Sequence, residues 1–579
     1  MKQLQIPQWN VFEKTLYTKA RYTNPFTDVR LSVRFKNKTV IHHVDGFYDG
    51  LSNQNEGELL WRFRFAPMIK GQWEYLTFSN ETELNGIRGE FVCIDPVHSG
   101  GLTVNHQFPN WFFRSDGSSQ FILNDGWTPH PGSKYGIEKY GAQIFSYPTE
   151  EKFRTFITIL SRHRVNMTID LKQLYARQKT CTDPSFLWPW KVIDPQTHRI
   201  DREQFSLEYF QRLDRQIQFA LKHNVFYGVE VLYDNSTFRK QEWANHPYKE
   251  TNGGWIKDWD APTDDYTTDQ LPFGWGLRRL LDLKNKTHIT YLTRMVSYLA
   301  ARTAAYWNVF YAMGCETSNI YPGMADLVHK WYEWWGDYMA SKEPYGRLLT
   351  IGDVAPQRYG LSYNMDEKTA FTYQNARNNL ITTQEHTFTD DIHDYSDAIY
   401  RAGLRFWKFR RPTVIGEQDG RNNNKYWKER RGYWAAFTSG YMMGRIDRHY
   451  EIADGDLLRE STLFGNDGDP AIYNYMENLS LFIKDGAVSF WRMIPMPDLL
   501  INPDRSVYCL GEEGVEYVIY FAAGGSTEIS FPESCYEYLW FDPRDGVFLN
   551  EGSCKGGVNK FDAPDKEDWV LLVRRTTML

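Results

Sequence analysis

Residues 207–233, LEYFQRLDRQIQFALKHNVFYGVEVLY, contain one complete unit of a repeating pattern. Leu207–His223 predicts a helix, and the apolar run Val225–Tyr233 that follows it predicts a strand. A helix between consecutive strands is the connection that parallel strands need, because the chain must return to the same edge of the sheet. This stretch therefore indicates an α/β protein with a parallel sheet.

The same alternation extends in both directions, from about residue 119 to residue 450. Helices are predicted between most of the strands. The eight predicted strands are Phe121–Asn124, Val165–Asp170, Val225–Tyr233, Val309–Gly314, Leu348–Gly352, Ala370–Gln374, Thr413–Gly416 and Arg445–His449. Eight parallel strands with right-handed crossovers predict a closed (β/α)8 TIM barrel. A doubly wound open sheet is the alternative, but no glycine-rich dinucleotide fingerprint follows the first strand.

Both flanks of this region change to short strands separated by turn residues. Before residue 100, the runs Val29–Phe35, Leu59–Phe65 and Trp73–Phe78 alternate as in a β sandwich. Short strands return after about residue 485, between glycine-rich turns. We therefore predict an immunoglobulin-like β sandwich over 1–100, the barrel over 101–484 and a C-terminal β sandwich over 485–579.

The composition excludes several classes of function. With 42% hydrophobic and 24% charged residues the chain is typical of a globular protein, and no apolar run approaches the roughly 20 residues of a membrane helix. A net charge of −7 without a basic tract argues against a nucleic-acid partner. Aromatic residues make up 16% of the chain, which suits an aromatic core and also stacking against sugar rings. The oligomeric state stays open.

The cysteines and the first residues bear on the cellular compartment. The six cysteines show no metal-ligand spacing; Cys535 and Cys554 lie in one β domain, but so scattered a set favours reduced thiols. The residues that follow Met1 lack the apolar core of a signal peptide. If Met1 is the native start we expect a cytoplasmic protein, and a leader removed before it would change this expectation.

Two carboxylates stand at the ends of opposite barrel strands, where the function of such barrels lies. Glu316 closes the segment WNVFYAMGCE (307–316) after the fourth strand, and Glu417 closes RPTVIGE (411–417) after the seventh. Cleavage of a glycosidic bond needs such a pair, because one group must protonate the leaving oxygen while the other, ionised, attacks the anomeric carbon. These residues are the predicted catalytic pair.

Further polar and aromatic residues near the strand ends are candidates for binding the substrate. Glu385, on the predicted loop after the sixth strand, is also the substitute for either member of the catalytic pair. The predicted substrate-binding residues are Asp125, Trp127, His130, Asp170, Lys172, Tyr373, Gln374 and Glu385.

Motifs at both ends resemble known families. The N-terminal part resembles the DUF5060 immunoglobulin-like domain, on the motifs Asn24–Asp28, Gly46–Gly50, Arg62–Pro67 and Lys70–Trp73. The centre is similar to clan A glycoside hydrolases, and more narrowly to the DUF4038 apiosidase-like group. The end, with Tyr538–Arg544 and Asp568–Leu572, resembles the β domain labelled "putative collagen-binding" that closes those proteins.

The resemblance implies a retaining glycoside hydrolase that acts on an oligosaccharide or glycoside of plant or microbial origin. Glu417 would then be the nucleophile and Glu316 the acid/base. Cys315 stands where the clan usually has Asn, and the first strand ends in Asn124-Asp125-Gly126-Trp127 instead of the Gly-Asp-Thr-x-Trp of the apiosidase-like group. We expect a carbohydrate substrate and no metal or organic cofactor. The sugar, its linkage and exo or endo action stay open.

Two other functions are compatible with a barrel. The first is a carbohydrate-binding or scaffold protein without turnover. The second is a metal-dependent hydrolase that uses His130, Asp170, Glu230 and Asp447, although the first strand does not end in an H-x-H pair.

Overall fold

The computed structural model describes residues 3–52, 57–126, 150–170, 188–197, 199–232, 246–257, 279–314, 325–350, 377, 379–385, 391–418, 426–445 and 471–576, in places as backbone only. A β domain, an α/β domain and a second β domain follow one another along the chain. In the described part of the chain no helix is both long and apolar enough to span a membrane.

The N-terminal domain is a two-sheet sandwich. Its strands are β1 (Gln5–Pro7), β2 (Phe12–Thr18), β3 (Leu31–Lys36), β4 (Ile41–Asp45), β5 (Phe47–Leu51), β6 (Leu59–Phe65), β7 (Gly71–Ser79) and β8 (Arg88–Ile94), with a one-turn helix α1 (Pro25–Asp28). One sheet has the order β1-β8-β7-β3-β4 and the other β2-β6-β5. Alternate residues of the facing strands, among them Phe35, Phe63 and Trp73, are fully buried between the sheets. The predicted sandwich is therefore present.

A small antiparallel sheet precedes the central domain, and a hairpin is inserted within the central domain. The small sheet consists of β9 (Leu102–Val104), β10 (Phe112–Arg114) and β11 (Ser119–Gln120), and the hairpin of β14 (Trp190–Asp194) and β15 (Arg199–Phe205). The guanidinium of Arg114 lies over the rings of Phe226 and Trp307, so β10 packs against the start of two central strands.

The central domain contains eight strands in one sheet among the residues described. They are β12 (Asn124–Asp125), β13 (Met167–Asp170), β16 (Phe226–Glu230), β17 (Val309–Ala312), β18 (Leu349–Thr350), β19 (Ile381–Glu385), β20 (Thr413–Gln418) and β21 (Met442–Arg445). Their order is β18-β17-β16-β13-β12-β21-β20-β19, and every ladder in it is parallel. This is the strand order of a (β/α)8 barrel cut between its fifth and sixth strands.

At that cut the structure has hydrogen bonds but no strand ladder within the described residues. The backbone N–H groups of Asn379 and Leu380 donate to the carbonyl of Leu349 at 3.1 and 3.3 Å, and the Leu349 N–H donates to the Asn379 side chain at 2.6 Å. The predicted barrel is thus confirmed in strand number, direction and order, while the predicted closed ladder is not found. We call this line between β18 and β19 the seam.

Helices cover the outside of the sheet. They are α2 (Glu150–Arg162), α3 (Leu207–Lys222), α4 (Lys286–Thr303), α5 (Ala325–Lys342), α6 (Ile392–Trp407), α7 (Tyr426–Thr438) and α8 (Ala471–Asp485). Helix α3 begins where the Ser206 hydroxyl accepts a hydrogen bond from the Tyr209 N–H, and it buries Phe210, Leu213 and Ile217. In the described ranges, one-turn 3-10 helices lie at Thr82–Leu84, Glu250–Asn252, Phe490–Arg492 and Pro497–Leu499.

Two predicted barrel strands were wrong in position. The sixth strand is β19 (Ile381–Glu385), whereas the predicted Ala370–Gln374 lies outside the described residues. The eighth strand begins at Met442, because α7 ends at Thr438 and Gly440 then adopts a left-handed φ of 86° that stops the helix. Helix α8 and the hairpin β14–β15 were not predicted.

The C-terminal domain is one continuous antiparallel sheet. Its strands are β22 (Ile494–Pro495), β23 (Leu500–Ile501), β24 (Val507–Glu512), β25 (Glu516–Phe521), β26 (Ser526–Asp542), β27 (Val547–Asp562) and β28 (Trp569–Arg575). Strand β26 is 17 residues long, and its register shifts between Phe531 and Cys535. The β-rich domain is confirmed, and its strands are joined in one hydrogen-bonded sheet.

The register of β26 and β27 also explains why Cys535 and Cys554 do not form a disulfide. Cys554 pairs with Tyr536, and Cys535 pairs with Lys555. Adjacent residues of a strand point to opposite faces, so the two thiols lie on different sides of the sheet. Both cysteines are free.

Candidate functional site

The carboxyl ends of the barrel strands bring a set of polar residues to one level. Asn124 pairs with Met167 on one side and with Gly444 on the other. Further around the sheet, Glu230 pairs with Ala312, which in turn pairs with Thr350. Asn124, Glu230 and Thr350 are all buried, so this end of the barrel encloses polar groups.

Asn124 is a candidate that the sequence argument did not select. It is fully buried, and neither its side-chain oxygen nor its side-chain nitrogen has a hydrogen-bond partner among the described residues. A buried amide without partners costs about 1–3 kcal/mol, so such a group is expected to meet water or a ligand. A Cβ on Gly444 would lie 2.6 Å from the Asn124 Cβ, and the glycine therefore makes room for this side chain.

Asp125, a predicted substrate-binding residue, faces the helix layer. Its carboxylate accepts a hydrogen bond of 2.7 Å from the Tyr473 hydroxyl of α8, and the Tyr473 ring stacks on His163 near the end of α2. Asp125 is fully buried there. Because side chains alternate along a strand, Asp125 and Asn124 occupy opposite sides of β12. The structure thus places the Asp125 carboxylate against α8, and Asn124 is an additional candidate at the barrel mouth.

The strand that carries Glu417 contains an irregularity just before this residue. Thr383 of β19 pairs with Ile415, but the next residue, Gln384, pairs with Glu417. Gly416 is thus the extra residue of a β-bulge, a feature that changes the direction of the residues after it and is frequent beside active sites. Glu385 pairs with Gln418 and is the last residue of β19, not a residue of the loop after it.

Most other predicted site residues are not open to a geometric test. Glu316, Trp127, His130, Lys172, Tyr373 and Gln374 lie outside the described residues, as do Asp353, Asp447 and His449. Asp170, Glu385 and Glu417 are described by their backbone alone. Glu316 follows the last residue of β17, Ala312, by four positions.

One segment beside the mouth is held by a neutral histidine. His288, in the first turn of α4, accepts a hydrogen bond from the Trp255 indole N–H at 2.7 Å, while its other ring nitrogen lies 2.8 Å from the Leu280 carbonyl and donates to it. Burial lowers the pKa of His288 to about 4, against weaker opposing effects of Leu280 and Asp282. The imidazole is therefore neutral near pH 7 and fixes the segment 246–257, which follows β16.

A buried cluster of charges joins the N-terminal domain to the barrel. Arg64 of β6 makes two hydrogen bonds of 3.0 Å to Asp214 of α3, and Arg302 of α4 donates to the same carboxylate at 2.6 Å. Arg302 also donates to Asp49 at 2.8 Å. Burial alone would raise the pKa of Asp214, but Arg302 and Arg64 outweigh it and hold that pKa below its ordinary value. We call these four residues the N-terminal junction.

A second cluster joins the barrel to the C-terminal domain. Arg430 of α7 binds both oxygens of Asp568, just before β28, at 2.6 and 3.0 Å. Its neighbour Arg431 donates to Glu567 at 2.8 Å and to the Ala522 carbonyl at 2.7 Å. Asp568 is fully buried. We call Arg430, Arg431, Glu567 and Asp568 the C-terminal junction.

Comparison with solved structures places this arrangement in a class. A Bacteroides vulgatus protein described as a "putative glycoside hydrolase" aligns over 99% of this chain and 100% of its own, with a TM-score of 0.64 and 15% identity. A second structure, described as "Glycoside hydrolase", aligns over 83% of this chain and 98% of its own (TM-score 0.53, 13% identity). A family 5 glycoside hydrolase of B. vulgatus aligns over 82% and 93% (TM-score 0.50, 12% identity). The chain therefore shares the fold of these proteins.

Family models identify the two outer domains. Residues 5–80 match the model "Domain of unknown function (DUF5060)", and residues 496–574 match "Putative collagen-binding domain of a collagenase". Both terminal resemblances in the sequence are thereby confirmed, and the chain carries these two domains on either side of the barrel. The narrower likeness to the DUF4038 group stays a prediction. No curated protein matches the chain in sequence.

Proposed function

We propose that this protein is a retaining glycoside hydrolase, in which Glu417 attacks the anomeric carbon and Glu316 protonates the leaving oxygen. The proposal rests on chain order: Glu417 is the penultimate residue of β20 and Glu316 follows the last residue of β17 by four positions, and these are the seventh and fourth strands in barrel order. In a barrel these two strands face each other across the mouth, where one carboxyl group can act on each side of a glycosidic bond. The β-bulge at Gly416 supports the choice of Glu417 over its neighbours.

The reaction balances with these two groups and water. Glu417 forms a covalent bond to the anomeric carbon while the bond to the leaving oxygen breaks and Glu316 supplies its proton. Glu316 then removes a proton from water, which attacks the same carbon and releases Glu417. The unpartnered amide of Asn124 is placed to hydrogen-bond the sugar or a bound water at this end of the barrel.

Azide rescue tests the two roles separately. Dinitrophenyl glycosides of several sugars need little acid assistance, so Glu316→Ala should retain their cleavage and, with azide, give a glycosyl azide of unchanged configuration. Glu417→Ala should lose turnover, and azide should restore it with the inverted configuration. Natural oligosaccharides should lose about 10²–10⁴-fold in rate with Glu316→Ala.

The control is Glu385→Gln, because Glu385 is the nearest alternative carboxylate in the β19–β20 pair. Full turnover by Glu417→Ala would overturn the assignment of the nucleophile. Loss of turnover after treatment with a chelator, restored by a divalent metal, would favour the metal-dependent hydrolase. Saturable sugar binding without products, in both the parent protein and Glu417→Ala, would favour a carbohydrate-binding or scaffold protein.

A further inference from the structure

A pocket of about 380 Å³ opens at the end of the barrel opposite to the candidate catalytic residues. Three segments line it: 107–111 between β9 and β10, 407–410 between α6 and β20, and 491–494 between α8 and the C-terminal sheet. Residues 407–410 precede β20, whereas Glu417 lies at its far end, so the pocket and the mouth are on opposite ends of the same strand. We call it the base pocket.

Aromatic side chains form much of its wall. Phe108, Trp407 and Trp491 line the pocket and are half-buried, so part of each ring faces the open space. Neither the Trp407 nor the Trp491 indole N–H donates a hydrogen bond to the described part of the protein. Half-exposed tryptophans combine a flat apolar face with a free donor, which is the combination that binds the ring face and hydroxyls of a sugar.

The position of Trp407 is fixed by its surroundings. Its carbonyl accepts a hydrogen bond of 2.7 Å from the Asn110 side chain, and its ring meets the buried Trp111 edge-on at 6.1 Å. A Cβ on Gly440 would lie 2.3 Å from the Trp407 ring, so the glycine allows the ring to lie against the backbone. The aromatic wall is therefore held in shape before any ligand binds, which lowers the entropic cost of binding.

The charges of the lining have one sign. Lys408, Arg410 and Arg492 line the pocket, and none of its twelve lining residues is acidic, in a protein whose net charge is −7. Arg492 is paired with Glu512 at 2.6 Å, but Lys408 and Arg410 are exposed and make no ion pair within the described ranges. Cations of one sign at a concave surface attract an anionic ligand.

We propose that the base pocket is a second carbohydrate-binding site, which takes an acidic sugar unit of the polymer or oligosaccharide on which the enzyme acts. The sugar ring stacks on the tryptophan faces, and its carboxylate meets Lys408 and Arg410. Because the pocket lies away from the mouth, it holds substrate on the protein without occupying the catalytic site. The proposal takes the carbohydrate nature of the ligand from the proposed function and adds its charge and a location.

Binding of defined uronate oligosaccharides tests the proposal. The probes are the trimers of galacturonate, glucuronate and mannuronate, measured by calorimetry on the full-length Glu417→Gln variant so that nothing is cleaved. At least one trimer should bind, and its methyl ester, which has the same rings without the charge, should bind about tenfold more weakly. Raising the salt concentration should weaken the binding of the acidic trimer and leave the binding of the ester unchanged.

Variants locate the site. Trp491→Ala and the double variant Lys408→Gln/Arg410→Gln should each raise the dissociation constant about tenfold. Lys555→Gln, which removes an exposed cation of β27 outside the pocket, is the matched control and should bind as the parent does. Circular dichroism and the melting temperature check that each variant is folded.

Three results would overturn the proposal: no binding of any acidic trimer, equal binding of the acid and its ester, or binding that the pocket variants leave unchanged. The last result would place the probe at the mouth. The proposed function fails by a different result, namely the absence of hydrolysis on every substrate tested, which a binding site at the base would survive.

Discussion

The two junctions use the same chemistry in opposite directions. At the N-terminal junction an arginine of the β domain, Arg64, enters the barrel and meets Asp214 between two helices. At the C-terminal junction the arginines belong to the barrel, and Asp568 of the β domain receives them. In both, a planar guanidinium binds two carboxylate oxygens at once, which fixes the orientation of the domains as well as their contact.

The comparison also relates the outer domains to the candidate catalytic strands. Arg302 lies near the end of α4, which leads into β17 and so towards Glu316. Arg430 lies in α7, the helix that follows β20 and Glu417. Each β domain thus holds a helix next to one strand of the catalytic pair. We conclude that the outer domains support opposite sides of the barrel.

The two junctions differ in how many carboxylates each arginine has. Arg64 and Arg302 share Asp214, and each also has a second partner, Glu13 or Asp49. Among the described residues Arg430 has Asp568 as its acidic partner. The C-terminal junction should therefore be the more sensitive to the loss of one acid.

The largest expected effect is that of Asp568→Ala. Removing one partner of a buried pair leaves an uncompensated charge, at a cost of about 3–5 kcal/mol in the free energy of unfolding. Denaturant unfolding measures this loss, with Asp545→Ala, an exposed aspartate of the same domain, as the control. Equal stability of the two variants would contradict the importance of the C-terminal junction.

Low pH should reduce the stability of the side of the barrel that contains α4, because α4 carries His288 as well as Arg302. The pKa of His288 is about 4 in the folded protein against about 6.5 in an unfolded chain, so the unfolded state binds more protons between these values. Stability is therefore full above about pH 6.5 and falls by up to about 1.4 kcal/mol per unit as the pH drops towards 4, about 3 kcal/mol in all.

Unfolding measured from pH 7.5 to 4.5 tests this expectation. His288→Gln should flatten the slope over that range, whereas His106→Gln, at an exposed position, should leave it as it is. An unchanged slope in His288→Gln would show that another group controls the acid response.

A smaller loss is expected for Asp214→Asn. Both arginines keep a second carboxylate, so the variant should cost about 1–3 kcal/mol, the range for a buried group that loses one partner. The double variant Asp214→Asn/Arg64→Met should recover part of this loss, since the buried guanidinium that lost one of its two carboxylates is then gone. Additive losses in the two single variants would mean that the residues do not interact.

The smallest effect should come from an exposed ion-pair cluster between the C-terminal domain and α6. Arg505 is exposed and pairs with Asp394 and Asp397 of α6. Exposed pairs contribute about 0.2–1 kcal/mol and are screened by salt, so Arg505→Ala should be nearly silent in 0.5 M NaCl. A loss of stability as large as that of Asp568→Ala would contradict the difference expected between a buried and an exposed ion pair.

The sequence was sufficient for the order of domains and for most of the barrel. Long helices such as Leu207–Lys222 and the apolar strand ending at Glu230 have periodicities that no other element imitates. The sixth strand was not located because Ile381–Glu385 has only one apolar residue among its five, and only its pairing with β20 identifies it. Short strands gain their identity from neighbours that a sequence does not reveal.

The site could be predicted less completely than the fold. Position along the chain identified Glu417 as a strand-end residue, but not the extra residue Gly416 in the ladder before it. Asp125 and Asn124 are adjacent in sequence and equally polar, and only the contact with Tyr473 tells which of them faces the helices. The junction residues gave no signal, since their partners are 88 to 253 positions apart in the chain.

The seam between β18 and β19 has a consequence for how the barrel opens. Among the described residues, seven neighbouring strand pairs are joined by ladders, while the eighth line has the hydrogen bonds around Leu349 and Asn379. Local opening of the barrel should begin at the seam, because it breaks the fewest hydrogen bonds there. In native-state hydrogen exchange, the amide protons of residues 349, 379 and 380 should therefore exchange before those of β16 and β17. The barrel should then open between β18 and β19.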